Sequence, residues 1–193
     1  MAEEKEKIKS KKEELEKKAK EKELNELKEK RNEIINLKKK IDEHRDRLWG
    51  KLESLMKDLQ EYKEILEKGK NSLEQKKELS KSDKESIKKI KHRISFLNRF
   101  IKFYVTELKP GLRNWEGFRF LFFDTYGIIK TKNKFRLLEK PLKIILDLKL
   151  GSDINGMIDI IKKDIEILPH LMESYLKLQE KFRIMWKKLS ESK

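Results

Sequence analysis

Chemistry needs particular side chains at particular spacings, and this sequence holds few such sets. Its three histidines, His44, His92 and His170, sit in unrelated contexts. None has a second histidine at helical spacing, and neither a His-Glu-x-x-His nor a Glu-x-x-His site is encoded. There is no cysteine, which excludes disulfides, thiolate ligands and thiol nucleophiles. Gly69-Lys70-Asn71-Ser72 lacks the upstream glycine of a phosphate-binding loop. Asp153-Ile154-Asn155-Gly156 has part of a calcium loop, but its glycine and terminal glutamate are misplaced, so Ser152 or Asp153 reads better as a helix cap. The expectation is a protein without catalytic residues, metal or cofactor.

What the sequence does offer is cation chemistry. From Ser86 to Thr106 there is no Asp or Glu, while Lys88, Lys89, Lys91, Arg93, Arg99 and Lys102 occur there together with His92. A second run, Lys130, Lys132, Lys134 and Arg136, has no acid between Asp124 and Glu139. Uncompensated lysines repel one another unless an anionic partner relieves them, and phosphates are the common partner. The plainer alternative is that these lysines solvate a helix or face acidic residues of the N-terminal segment.

Gly117-Phe118-Arg119-Phe120-Leu121-Phe122-Phe123 resembles the aromatic signature strand of RNA-recognition-motif domains. That resemblance would imply base stacking across a four-stranded sheet. It covers seven residues, without the alternating strands, the second signature strand or their spacing. Aromatics buried in a helical core are the preferred reading.

The elements that must position these residues are helices. Residues 1–23 are nearly all Lys and Glu, with Glu13–Lys17, Glu14–Lys18 and Glu16–Lys20 in the favourable i,i+4 order, which predicts a solvated helical or flexible extension. A seam follows in which Leu27, Ile34, Ile41, Leu48, Leu55 and Tyr62 form one row. Leu24, Arg31, Lys38, Arg45, Leu52, Leu59, Leu66 and Leu73 form its companion. No proline interrupts residues 1–109, so one helix of roughly 110 Å is expected to about Leu79. The turn is placed near 80–83, with Ser82 and Glu85 as a capping box. A second helix then carries Ile87, Ile90, Ile94, Leu97, Ile101, Tyr104 and Leu108 back antiparallel, covering residues 54–78, until Lys109-Pro110-Gly111 ends it.

Beyond residue 110 the chain changes character. Eleven of the 16 aromatic residues lie between Phe96 and Phe135. Short helices are expected near 112–126, 133–150 and 153–168. Pro169 is expected to start a last helix, bearing Leu171, Tyr175, Leu178, Phe182, Met185 and Leu189, that packs along the open seam Leu24–Leu48. The fold class is therefore all-α. It comprises an extension (1–23), an antiparallel coiled-coil hairpin (24–109) and a compact aromatic-rich helical region (110–193).

Composition bounds the function. Charged residues make up 44% of the 193 and the net charge is +15, with lysine supplying most of it. Two alanines, one valine and 20 isoleucines point to an A/T-rich coding bias, so the distribution of charge counts for more than its sum. The start, Met1-Ala2-Glu3-Glu4-Lys5, leads into charge rather than an apolar signal region, and no apolar run reaches transmembrane length. A soluble, cytoplasmic protein is expected. The favoured function is non-enzymatic binding of nucleic acid or a nucleoprotein particle, structured RNA or the ribosome in particular. A coiled-coil scaffold is the alternative, with a protein partner on the seam Leu24–Leu48. Attachment to an anionic membrane surface ranks last, because the apolar stripe of the second helix is committed to the hairpin.

Overall fold

A computed structural model describes residues 2–122 and 136–191, with side chains at Lys11 and from Glu14 onward. Among these residues all regular structure is helical. Helix α1 spans Ala2–Glu74 and α2 spans Lys81–Phe103. A π-helical segment, Tyr104–Leu108, leads into α3 (Lys109–Arg113), which is followed by α4 (Trp115–Phe122). After a 3-10 turn at Arg136–Leu138 come α5 (Glu139–Asp147) and α6 (Ser152–Glu191). The chain forms two compact units, residues 1–42 with 171–193 and residues 43–170.

In the second unit α1 and α2 form the expected antiparallel hairpin. Glu53 of α1 meets Tyr104 and Lys109, whereas Glu74 meets Lys91 of α2. Leu48, Leu52, Leu55 and Leu59 of α1 are fully buried, as are Leu97 and Leu108 from the returning segment. Every residue of the expected α2 stripe is buried or half-buried. The turn is shifted from its expected place. Helix α1 stops at Glu74, and the cap is Ser80 with Asp83, not Ser82 with Glu85. The Asp83 N–H donates to Ser80 Oγ at 3.0 Å, and Asp83 accepts from the Ser80 N–H at 3.1 Å and from Lys76 at 2.8 Å. Lys76, then Ser80, hold the Asp83 carboxyl down to about 2.

Pro110 does not end the second helix. A proline ring clashes with the carbonyl four residues back in a regular α-helix. Here that carbonyl belongs to Thr106, inside the π segment, where the Lys109 N–H reaches five residues back to Tyr104. Helical winding therefore continues to Arg113 and breaks at Asn114, whose backbone is extended (φ −131°, ψ 158°). The Asn114 side chain accepts from the Gly117 N–H at 2.6 Å and opens α4. Gly111 is buried where α3 meets α4, and a Cβ there would lie 2.7 Å from the Leu121 side chain.

Pro169 likewise lies inside α6 and does not start it. An interior proline costs about 3 kcal/mol. Burial of Ile165, Leu168, Met172 and Tyr175 on either side of it outweighs that at about 1.5–3 kcal/mol for each large apolar side chain. Helix α6 opens at Ser152 behind Gly151, which holds φ 133°.

In the first unit the beginning of α1 runs beside the end of α6. Leu27, Ile41, Met172 and Tyr175 are buried, and Leu178, Phe182, Met185 and Leu189 are half-buried, as the α6 stripe predicts. The expected companion row on α1 is wrong here, because Leu24, Arg31 and Lys38 are exposed. The inward row is instead Lys30, Leu37 and, in the second unit, His44, each at least half-buried. An α-helix drifts about 20° per heptad against a strict seven-residue repeat, which moves the buried stripe by one position. Glu14 and Lys18 form the expected i,i+4 pair at 2.8 Å.

Two outcomes follow from this packing. Gly111→Ala should destabilise the protein by about 1–3 kcal/mol through overpacking against Leu121, measured by urea unfolding. Glu53 accepts from Tyr104 at 2.5 Å, pairs with Lys109 at 2.9 Å and accepts from Trp49 at 3.1 Å. Tyr104, then Lys109, hold its carboxyl down to about 2 from an ordinary 4.5. A depressed carboxyl stabilises the fold above its unfolded value and loses that contribution as pH falls through the folded one. Stability should therefore fall between about pH 4.5 and 2. In Glu53→Gln that decline becomes shallower, and a decline of unchanged slope would exclude Glu53 as its source.

Candidate nucleic-acid interface

The basic stretch Ser86–Thr106 falls on α2 and the first turn of the π segment. Lys88, Lys89, Lys91, Arg93, Arg99 and Lys102 are all exposed, as is His92. At 3.6 residues per turn they do not share one face. Lys88, Lys91, Arg99 and Lys102 fall in a single row, which Lys81 and Lys84 extend toward the turn. The row Lys81, Lys84, Lys88, Lys91, Ser95, Arg99 and Lys102 is spaced 3-4-3-4-4-3, is exposed throughout, and extends over roughly 32 Å at 1.5 Å per residue. Lys81 and Lys84 were missed as site residues because Asp83 and Glu85 flank them in sequence, although Asp83 lies off the row and Glu85 only borders it at Lys81 and Lys88. The 3-4 spacing is the signal that finds them.

Part of the basic set is engaged within the fold. Lys91 pairs with Glu74 of α1 at 2.9 Å, and Arg93 donates to the Tyr62 hydroxyl at 3.3 Å. Lys91 holds the Glu74 carboxyl below its ordinary range. Facing an acidic residue of α1, the plainer alternative of the sequence, thus describes Lys91, whereas Arg93 meets a tyrosine hydroxyl. Lys81, Lys84, Lys88, Lys89, Arg99 and Lys102 make no ion pair with a described residue. Arg136 is exposed at the start of the 3-10 turn. Lys130, Lys132 and Lys134 lie outside the described residues.

The segment that resembles an RNA-recognition strand is helical. Residues 115–122 form α4, with Phe118, Leu121 and Phe122 buried and the Phe118 and Phe122 rings edge-to-face at 5.2 Å. The core reading holds for Phe118 and Phe122, but Phe120 is 48% exposed, and Phe123 lies outside the described residues. Arg45, expected in the seam, lies with its guanidinium 6.0 Å from the Phe118 ring centre.

One cluster of titratable groups went unnoticed in the sequence. Asp164 of α6 is fully buried and accepts from Arg47 Nε of α1 at 2.9 Å, with a second contact to the same guanidinium. His44 Nδ1 lies 2.7 Å from Asp164 Oδ1 and 2.7 Å from Arg47 Nη2, so the three side chains form one connected polar cluster. Among the described residues no group of three or more His, Cys, Asp or Glu is placed to hold a metal. The cluster is a polar clamp between α1 and α6 within the second unit. Asp164 within an apolar α6 stripe, and His44 beside the α1 seam, were its only traces in sequence.

No described helix is long and apolar enough to cross a membrane. The clamp yields a further expectation. Arg47→Met leaves the Asp164 carboxylate buried with His44 alone and should cost about 3 kcal/mol in urea unfolding, whereas Arg47→Met with Asp164→Leu recovers most of the loss. No protein-family model matches the chain, and neither a curated protein nor a solved structure is detectably similar to it.

Proposed function

We propose that this protein is a non-enzymatic binder of nucleic acid or of a nucleoprotein particle, gripping phosphates along the basic row of α2. The observation that carries this reading is the row itself: six cations and Ser95 on one exposed helical face. The same helix buries its apolar stripe against α1, so the positive face is what it presents outward. Lysines supply point charges suited to phosphates rather than a fixed hydrogen-bonding fork, which favours backbone contact over base reading. Structured RNA and the ribosome are the favoured ligands, as surfaces dense enough in phosphate to meet a row of this length.

A scaffold role is the second reading, and one feature of the first unit favours it. Ala19, Leu24 and Leu27 of α1 with Trp186 and Leu189 of α6 line an apolar groove of about 580 Å³. Trp186 is 59% exposed there. An apolar-faced helix from a partner protein would cover it, with Glu16, Lys20 and Glu23 at the rim.

Binding of nuclease-treated protein to structured RNA, duplex DNA and intact ribosomes across a salt series separates the two. Changing Lys81, Lys84, Lys88, Arg99 and Lys102 to Gln should lower the slope of log affinity against log salt by about 3–4. The same number of glutamines placed on exposed lysines of α1 should change it less. Absence of binding near physiological salt, or a slope indifferent to the row, rejects phosphate gripping and leaves the scaffold reading in front.

A further inference from the structure

The basic row has an aromatic neighbour. Phe96, Phe100 and Phe103 follow α2 directly beside Arg99 and Lys102, and together with Leu137 and Pro141 they and Arg99 bound an open groove of about 290 Å³ in the second unit. Phe100 is buried, while Phe96 and Phe103 are half-buried and partly open to solvent. The Phe96 and Phe100 rings are nearly parallel, 2° apart with centres 6.3 Å from each other. Leu137 closes the far rim and is itself 51% exposed. Drug-sized ligands occupy pockets from roughly 300 Å³ upward, so this groove suits one small planar group.

We infer that the groove takes one unpaired nucleobase, stacked on Phe96 and Phe103, while Arg99 and Lys102 hold the adjoining phosphates. The ligand is then a single-stranded segment rather than a duplex. This rests on the phosphate-gripping reading and narrows it. A duplex offers the row its phosphates but keeps its bases paired and stacked, out of reach of the rings. A single strand offers both, and every base has a face to stack, so the groove adds affinity without sequence reading. Arg99 belongs to the basic row and to the groove wall alike, which ties phosphate and base to adjacent positions on one helix.

The test compares short single-stranded oligouridine with an RNA duplex of mixed sequence, using the full chain. The unaltered protein should bind the single strand more tightly. Phe96→Leu with Phe103→Leu keeps apolar volume but removes the rings, and should weaken single-strand binding by about tenfold or more. Duplex binding should stay within about twofold, since the phosphate contacts remain. Leu137→Glu, at an exposed position that does not support the core, should give the same selective loss by placing a carboxylate at the groove rim. Equal affinity for both ligands in the unaltered protein overturns the groove assignment while phosphate gripping stands. So does an equal loss on both in folded Leu137→Glu protein. If neither ligand binds, phosphate gripping itself fails and the groove assignment with it.

Discussion

Four leucines, Leu48, Leu52, Leu55 and Leu59, hold the second unit together, each fully buried on one stripe of α1. A helix cannot bury its own stripe, so α1 needs other elements laid against it, and the connections between helices are arranged around that need. Each such side chain contributes about 1.5–3 kcal/mol. The exposed i,i+4 pairs along α1 contribute at most about 0.5 kcal/mol each. The polar contacts that count are those at the edges of the stripe: Glu53 with Tyr104 and Lys109, and Asp164 with Arg47 and His44. Both tie helices distant in sequence to α1 within the second unit, and both would be poor bonds without the apolar seam beside them to exclude water.

The same constraint gives α2 its electrostatic character. One side of the helix is committed to α1, leaving the charges of Ser86–Thr106 on the others. With no acid in the stretch, among the described residues only Glu74 from α1 pairs with one of them, at Lys91. A row of like charges on a rigid helix cannot rearrange to reduce its repulsion, so it costs stability until a polyanion meets it. The aromatic row beside it has a packing origin, since Phe100 belongs to the core and Phe96 and Phe103 follow from its position at helical spacing. Basic and aromatic rows thus become neighbours as a consequence of one helix having one buried side.

Between α2 and α4 the chain makes an unusual compromise. Apolar residues on both sides of Pro110 are buried, Leu108 and Leu112 completely, and a helix break at residue 109 would have removed them from the core. A π segment preserves the winding and relieves the proline, and Gly111 lets α3 and α4 approach closely. Pro169 is carried through α6 for the same reason.

Local patterns in the sequence determined the helical class, the antiparallel hairpin, the stripes of α2 and α6 and the acid-free stretch Ser86–Thr106, because each depends on residues within a turn or two of one another. They also pointed to burial of Phe118 and Phe122, since no strand pattern surrounds them, whereas Phe120 of the same run is left exposed. Tertiary structure alone decided between signals of similar local strength. Ser80 prevails over Ser82 because Asp83 also reaches Lys76, and Pro110 and Pro169 stay inside helices because their neighbours are buried from elsewhere. Leu37 replaces Lys38 along the seam, and His44 joins Arg45 there, because a real helix turns in steps of 3.6 residues, and only the position of its partner shows which side of the drift is covered. The Asp164 clamp joins residues 117 and 120 positions apart, and the groove at Phe96 joins α2 to a turn 34 residues beyond Phe103. No local pattern encodes such pairings, because they are set by the path of the whole chain.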